Sequence, residues 1–193
     1  MRMFEYDKDL PEPEKGDFLL SEPFLNDPNF ERTVILVCEH NDEGTFGLVM
    51  NKLSDLQLND VLEEEVTFPA YLNIGGPVEQ NTLHFVHRLG QTIDGSIQLN
   101  GDLYWSGDFE QVKFLMNSGL VAAEDIQFYL GYSGWASGQL RGEMDSSSWF
   151  VRKGATAKEI FDLESDILWK SILREMGGKY KVFSNYPSDP RLN

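Results

Sequence analysis

The sequence predicts a single mixed α/β domain of the α+β kind, and three observations support that fold class. Short runs of β-branched and apolar residues recur between clusters of Gly, Pro, Asn and Asp, a pattern typical of strands joined by turns. Two segments in the second half begin with the spacing of a helix capping box. The 193 residues are 41% hydrophobic, which is enough for one sizeable core but too little for two full domains.

The first half of the chain is predicted to consist mainly of strands. Residues 33–40 form a β-branched, apolar run, and residues 41–44 supply a turn into a second run at residues 45–51, so we expect a hairpin. Between residues 54 and 65 the apolar spacing instead predicts a short helix. Further strands are predicted at residues 18–21, 70–74, 83–88, 125–132 and 149–152, with strand content continuing through residues 91–105.

Two helices are predicted from their caps. Asp108 and Gln111 stand at capping-box spacing, and Gly119 is a typical stop. Thr156 and Glu159 repeat the spacing near the C-terminus, where Gly177-Gly178 is expected to end the helix. The apolar face of that last helix is formed by Ile160, Phe161, Leu168, Ile172 and Met176.

Residues 1–16 are predicted to be a poorly ordered acidic lead-in, because they contain two prolines and many charges, and residues 17–193 are predicted to form the domain. The N-terminus has no apolar segment of the kind found in secretory signals. The longest apolar run, residues 33–38, is too short for a membrane span, so no membrane partner is expected. The single cysteine, Cys38, fits a reducing compartment, and we expect a cytoplasmic location.

Charge is distributed unevenly along the chain. Its net value is −16, and the excess of acid lies in residues 1–140, whereas residues 141–193 are nearly balanced. Duplex-binding domains normally present a basic surface, so the charge disfavours direct contact with nucleic acid. Such binding stays an alternative if the fold gathers the basic residues of the C-terminal quarter, which are Arg141, Arg152, Lys153, Lys158 and Arg174.

A thiol-based sensor or enzyme is the second alternative. Cys38 and His40 are two residues apart on a predicted strand, so their side chains are expected on the same face. A neighbouring imidazolium can lower the pKa of a thiol and make the thiolate reactive. The competing interpretation, which we favour, treats Cys38 as a small buried apolar residue.

The other candidate chemistries lack their motifs. His84 and His87 are three residues apart and fall on opposite faces of a predicted strand, so no metal site is expected. The chain contains no phosphate-binding loop, no dinucleotide fingerprint and no zinc-protease motif, and no cofactor is predicted.

The segment from Gly131 to Trp135 resembles a serine nucleophile elbow, but the pattern requires glycine where this chain has Trp135. All three histidines precede Ser133, unlike the residue order of the α/β-hydrolases. A structural interpretation is therefore favoured, in which the glycines let the backbone turn tightly beneath Trp135. The sequence favours a non-enzymatic protein.

Several ordered motifs resemble the AlgH/YqgE family of bacterial proteins. They are GDFLLSEPFLNDPNFERTVILVCEH at residues 16–40, GTFGLVMNK at 44–52, NIGGPV at 73–78, GYSGWASGQL at 131–140, and the terminal PSDPRLN. The resemblance implies a bifurcated, strand-rich sheet curled into a pseudo-barrel with flanking helices. It also implies the family's description as transcriptional regulators, although no helix-turn-helix is legible here.

Polar and aromatic residues within these motifs are the candidate binding residues: Arg32, His40, Asn51, Tyr132, Trp135 and Gln139. Each also has a structural interpretation. Arg32 is expected to pair with Asp27, Asn51 to close a strand end, and Gln139 to satisfy backbone groups near the glycines. The resulting hypothesis is a binding or regulatory protein that acts through a protein or small-molecule partner. The sequence predicts no oligomeric state.

Overall fold

The computed structural model describes residues 11–67 and 69–187, and this part of the chain forms ten strands and five helices. The predicted mixed α+β class is confirmed. The strands are β1 Phe18–Ser21, β2 Val34–Asn41, β3 Gly44–Val49, β4 Leu53–Gln57, β5 Tyr71–Ile74, β6 Val78–His87, β7 Ile97–Asn100, β8 Leu103–Trp105, β9 Ile126–Ala136 and β10 Trp149–Arg152. The helices are α1 Phe109–Asn117, α2 Gln139–Asp145, α3 Ala157–Asp162, α4 Ser165–Met176 and α5 Gly178–Phe183.

The sheet branches at β9. Its main path runs β10-β1-β2-β3-β9-β6-β8-β7, and β4 joins it through β5. Strand β5 pairs in parallel with the first half of β9, with Leu72 opposite Phe128, whereas β3 pairs antiparallel with the second half, with Gly47 opposite Ser133. Strand β6 also pairs with β9. The bifurcation that the resemblance implied is therefore present.

The sheet curls without closing. Its two terminal strands, β10 and β7, meet through a side chain: the Nδ2 of Asn100, at the end of β7, donates to the carbonyl of Ala155, just beyond β10, at 2.9 Å. The main chain is also close here, since a Cβ on Gly16 would lie 2.6 Å from the carbonyl oxygen of Leu99. A side-chain contact thus bridges the seam of the pseudo-barrel where a closed barrel would have a strand pair.

Three apolar clusters hold the layers together. The largest lies within the curled sheet and is covered by α4, with Phe18, Leu36 and Trp169 fully or almost fully buried. A second packs α1 against β5 and β9. The third joins α2 to the sheet around Trp135 and Trp149.

Most predicted strands and both predicted caps are present, including the β2–β3 hairpin. The Oδ1 of Asp108 accepts from the backbone N–H of Gln111 at 3.1 Å, and Thr156 with Glu159 forms the full capping box. The helix predicted at residues 54–65 is wrong. That segment is the strand β4 followed by a single 3₁₀ turn, Leu58–Asp60, because pairing with β5 overrides the local apolar spacing.

The predicted C-terminal helix is also revised. It breaks at Leu163, whose backbone is extended, to give α3 and α4. Gly177 ends α4 as expected, yet the chain then forms another helix, α5.

The predicted tight turn beneath Trp135 is wrong as well. Residues 131–135 belong to β9, which continues as far as Ala136. Gly131 has φ +66°, and a Cβ there would lie 2.8 Å from the carbonyl oxygens of Gly76 and Val78. The glycine therefore permits a close approach of strands at the branch rather than a change of direction. The chain turns later, at Gly138, which begins the unpredicted helix α2.

The predicted acidic lead-in lies mostly outside the described residues, which begin at residue 11. Its last residues contact the body: Gly16 donates to the carbonyl of Val37 at 2.8 Å, and its own carbonyl accepts from Ala155 at 2.7 Å. In residues 11–67 and 69–187, no helix has both the length and the apolar character needed to cross a membrane.

Candidate functional site

A cleft of about 430 Å³ opens between the tip of the β2–β3 hairpin and the C-terminal half of β9. We call it the β3–β9 cleft. Its aromatic wall contains Phe46, Tyr132 and Trp135, and its acidic rim contains Glu39 and Glu43. The antiparallel pairing of β3 with β9 brings these two groups of residues together.

The aromatic wall continues into a cluster of stacked rings. Phe46 stacks on Tyr132 with ring centroids 4.7 Å apart and contacts the rings of Trp105 at 5.1 Å and His84 at 5.2 Å. Gly134 stands opposite Phe46, and a Cβ there would come within 3.1 Å of the Tyr132 ring. The glycine thus leaves room for the Tyr132 ring on this wall.

The acidic rim is exposed and carries charge without a local counter-charge. Glu39 and Glu43 are solvent-exposed, and neither forms an ion pair with a lysine or arginine in the described chain. Asp42 adds a further carboxyl group to the same hairpin tip. The cleft is therefore a negatively charged surface next to the half-buried rings of Phe46 and Tyr132.

Four of the six sequence-predicted binding residues lie in or beside this cleft. Tyr132 and Trp135 line it directly. His40 contacts the lining residue Thr45, with Nδ1 2.7 Å from the threonine hydroxyl. The Oε1 of Gln139 accepts from the backbone N–H of Ala136 at 3.0 Å, which agrees with the structural role expected for this residue.

The other two candidates, Arg32 and Asn51, lie outside the cleft lining and contact each other. Asn51 closes strand ends, as its structural interpretation expected: its Oδ1 accepts from Val34 at 2.8 Å and its Nδ2 donates to the carbonyl of Arg32 at 2.9 Å. The six candidate binding residues therefore fall into two sets, four at the cleft and two away from it.

The predicted pairing of Arg32 with Asp27 is wrong. The Arg32 guanidinium donates to the carbonyls of Tyr186 and Pro187, at 2.8 and 2.6 Å, and lies 5.1 Å from the Trp169 ring centroid. Asp27 instead accepts from the backbone of Asn29. Arg32 thus fixes the segment after α5.

Cys38 and His40 do not share an environment. A register shift between Val37 and Glu39 interrupts the alternation of β2, so Cys38 is fully buried while His40 is exposed. Burial raises the pKa of the Cys38 thiol well above its ordinary value, and the charge of Glu39 acts in the same direction. The lowered thiol pKa that a reactive cysteine requires is not found.

Three of the five basic residues considered for a nucleic-acid surface, Arg141, Arg152 and Lys153, are paired with carboxylates. Lys153 pairs with Asp17 at 2.7 Å and Glu14 at 3.1 Å, and Arg141 pairs with Asp145 at 3.0 Å and with Glu12. Arg152 pairs with Glu159 and lies 3.6 Å from Glu175. In the described part of the chain, no three His, Cys, Asp or Glu side chains are grouped to hold a metal ion.

The profile of the AlgH-like family matches residues 18–181. The chain belongs to this family. A UPF0301 protein of Cytophaga hutchinsonii is 47% identical over 180 residues, covering 93% of this chain and 98% of the relative. One from Chlorobaculum tepidum is 38% identical, covering 92% and 95%.

Two solved structures of similar proteins support the fold. The solution structure of the AlgH protein from Pseudomonas aeruginosa has a TM-score of 0.71 and 28% identity, covering 96% of this chain and 98% of that one. A crystal structure of a Corynebacterium diphtheriae protein has a TM-score of 0.77 and 25% identity, covering 92% and 95%. The similarity to these structures therefore agrees with the assignment of the chain to the AlgH-like family.

The AlgH-like fold of this chain also contains a second cavity that the sequence interpretation missed. It encloses about 390 Å³ where β3 and β5 separate, and its lining includes Lys52 and Gln80. We call it the branch cavity. A signal was present: Lys52, Gly76 and Pro77 belong to two of the family-like motifs, GLVMNK and NIGGPV, which meet in this cavity.

Proposed function

We propose that this AlgH-like chain is a non-enzymatic binding protein whose β3–β9 cleft takes a positively charged group, such as an ammonium or guanidinium, carried by a small molecule or a protein partner. The supporting observation is that the unpaired Glu39 and Glu43 carboxylates border the same cleft as the aromatic rings of Phe46 and Tyr132.

Each part of the cleft contributes to cation binding for a different physical reason. An aromatic face attracts a cation through its quadrupole, typically by about 0.5 to 2 kcal/mol. Carboxylates add charge-assisted hydrogen bonds to N–H donors. The net charge of −16 would attract cationic ligands over a longer range and increase their rate of encounter.

The same observations favour recognition over catalysis. Ser133 is fully buried and its hydroxyl donates to the carbonyl of Gly75 at 3.2 Å, so it is engaged in the branch of the sheet. The pairing of Arg141, Arg152 and Lys153 with carboxylates disfavours a duplex-binding surface. If the chain regulates transcription, we propose that it does so through a bound partner. A cytoplasmic location, suggested by the single cysteine, belongs to the same proposal.

Amide chemical-shift titration with benzyltrimethylammonium tests the proposal, with benzyl alcohol as its neutral counterpart. We expect saturable shifts in β3 and the C-terminal half of β9 with the cation and much weaker ones with the alcohol. Equal responses to both probes, or no response to the cation, would contradict the proposal.

Two variants sharpen this test. Tyr132→Leu removes the ring against which the cation would pack, and Glu43→Gln removes one rim charge, so each is expected to weaken binding severalfold. The matched control is Glu63→Gln, which removes an exposed carboxylate outside the cleft lining. This control should bind the cation as the unmodified chain does.

A further inference from the structure

We infer that the branch cavity is a second binding site, selective for a carboxylate carried on a short apolar body. The inference goes beyond the proposed function and does not depend on it, because the two sites have different residues and opposite charge preference.

The cavity exists because the sheet branches. Strands β3 and β5 both pair with β9 and diverge beyond it. Two backbone hydrogen bonds join their ends: the N–H of Val49 donates to the carbonyl of Gly75 at 2.8 Å, and the N–H of Ile74 donates to the carbonyl of Lys52 at 2.7 Å. The apolar part of the lining includes Leu56, Ile74 and Leu130, and Val49 lies fully buried at its base. At about 390 Å³, the cavity has the size of a small-molecule pocket.

Lys52 supplies the positive charge. Its ammonium donates to the carbonyls of Pro28 and Asn29 at 3.2 and 3.3 Å, which are long hydrogen bonds. An ammonium has three N–H donors, so one remains for a ligand. Lys52 makes no ion pair with a carboxylate in the described chain.

The charge around Lys52 departs from the rest of the chain. The sequence has 32 acidic residues against 16 Lys and Arg, yet no acidic residue lines the branch cavity. A cation beside an apolar wall, without a carboxylate lining the same cavity, is complementary to an anion with an apolar body.

Two side-chain amides complete the polar side of the cavity. Gln80 and Asn29 both line it, and within residues 11–67 and 69–187 neither side chain has a hydrogen-bond partner. Amide N–H groups donate readily to carboxylate oxygens. Lys52, Gln80 and Asn29 thus offer donors of the kind that a carboxylate accepts, while Leu56, Ile74 and Leu130 would contact its apolar part.

Titration of the full chain with octanoate tests the inference, using calorimetry together with amide chemical shifts. Octanol and octylamine are the neutral and cationic comparisons of equal chain length. We expect octanoate to bind and to shift amides of β3, β5 and Leu130 while leaving the hairpin tip at residues 41–44 unchanged. If octanol or octylamine binds as well as octanoate, or if octanoate does not bind, the inference is overturned.

Two variants separate a ligand-binding role of Lys52 from a purely structural one. Lys52→Gln should weaken octanoate binding about tenfold or more, the effect of losing one charge-assisted hydrogen bond. Lys170→Gln, at an exposed lysine on α4, is the matched control and should bind normally. Unchanged octanoate affinity in Lys52→Gln would refute the assigned role.

Leu56→Trp decides the question if Lys52→Gln does not fold. Leu56 is 42% exposed at the rim of the cavity, so the larger ring can be accommodated without repacking the core and should obstruct the space for the apolar body. Octanoate binding should fall while Lys52 is retained. Octanoate affinity equal to that of the unmodified chain would place the ligand elsewhere. Failure of the benzyltrimethylammonium titration would leave this result unaffected, so the two proposals fail separately.

Discussion

The indole N–H of Trp135 donates a 2.8 Å hydrogen bond to the Oε2 of Glu143. Trp149 donates to the same oxygen at 2.7 Å, and the two indole rings meet edge to face at 5.7 Å. Because Trp135 lies on β9, Trp149 on β10 and Glu143 on α2, one carboxylate ties a helix to two strands. The back of the aromatic wall therefore depends on a residue outside the cleft lining.

Glu143→Ala should lower the free energy of unfolding by about 2 kcal/mol or more, because it leaves two indole N–H groups without an acceptor. The rings themselves are only 5% and 1% exposed, so water cannot readily replace the carboxylate. Urea unfolding followed by tryptophan fluorescence measures the change. Glu143→Gln keeps one acceptor and should cost less, and an equal loss in both variants would contradict the explanation.

Gly131→Ala should be much more destabilising than Gly138→Ala. The two glycines have similar φ values, +66° and +74°, but a Cβ at Gly138 would meet nothing within 4 Å. Gly138→Ala should therefore lower the free energy of unfolding by only about 1 to 2 kcal/mol, which is the cost of holding an alanine in the left-handed conformation. Gly131→Ala adds a clash with two carbonyl oxygens at the branch. Thermal and urea unfolding of the pair would isolate this steric term, and equal losses would show that the close approach contributes nothing.

Stability should fall as the pH is lowered through the range where His87 titrates. Burial lowers the pKa of His87, and the hydrogen bond to the carbonyl of Ser106 only partly offsets this effect. Burial also lowers the pKa of His84. A histidine whose pKa is lower in the fold than in the unfolded chain stabilises the fold above its unfolded pKa of about 6.5, and this stability is lost as pH falls through the folded value.

The His87→Gln variant measures this contribution. Urea unfolding between pH 8 and pH 5 should give a shallower loss of stability on acidification than in the unmodified chain. A parallel pH dependence in the two proteins would exclude His87 as a source of the effect.

Cys38 should react with thiol reagents only when the chain unfolds. The side chain is fully buried and its pKa is raised by burial, so both access and thiolate content are low. Alkylation with iodoacetamide, followed by mass spectrometry with and without urea, gives the measurement. Rapid alkylation of the folded chain would revive the thiol-based alternative.

Arg32→Ala should destabilise the fold by about 1 to 3 kcal/mol, because it removes two charge-assisted hydrogen bonds and a cation–π interaction. The guanidinium makes these interactions with Tyr186, Pro187 and Trp169. Arg174→Ala, at an exposed arginine of α4, is the control with the same change of charge. Unfolding by urea would compare them, and similar decreases in stability would mean that the effect comes from charge alone.

Local signals in the sequence were sufficient for the elements that depend on them. The hairpin of β2 and β3 followed from an apolar run and a turn, and the caps at Asp108 and Thr156 followed from spacing to the residue three positions on. The strand β4 was mistaken for a helix because its register with β5, such as Leu53 opposite Asn73, is set by residues outside the segment. The break at Leu163 likewise interrupts a favourable helical pattern.

The candidate site was predicted only in part, for a related reason. Tyr132 and Trp135 stood out because aromatic residues beside several glycines are unusual in a sequence. Glu39, Glu43 and Lys52 did not, since exposed charges are common and most are simply solvated. What distinguishes them is the absence of an ion-pair partner in the described fold, which depends on the positions of distant residues.

The branch of the sheet has a consequence for the order of folding. Strand β9 pairs with β3, β5 and β6, all of which precede it in the chain. During synthesis, those three strands are made before β9. The edge of each strand that faces β9 therefore stays unpaired until β9 emerges from the ribosome. Non-local pairing of this kind slows folding and exposes strand edges to aggregation. Nascent chains cut short before Ile126 should therefore need chaperones more than chains that include β9.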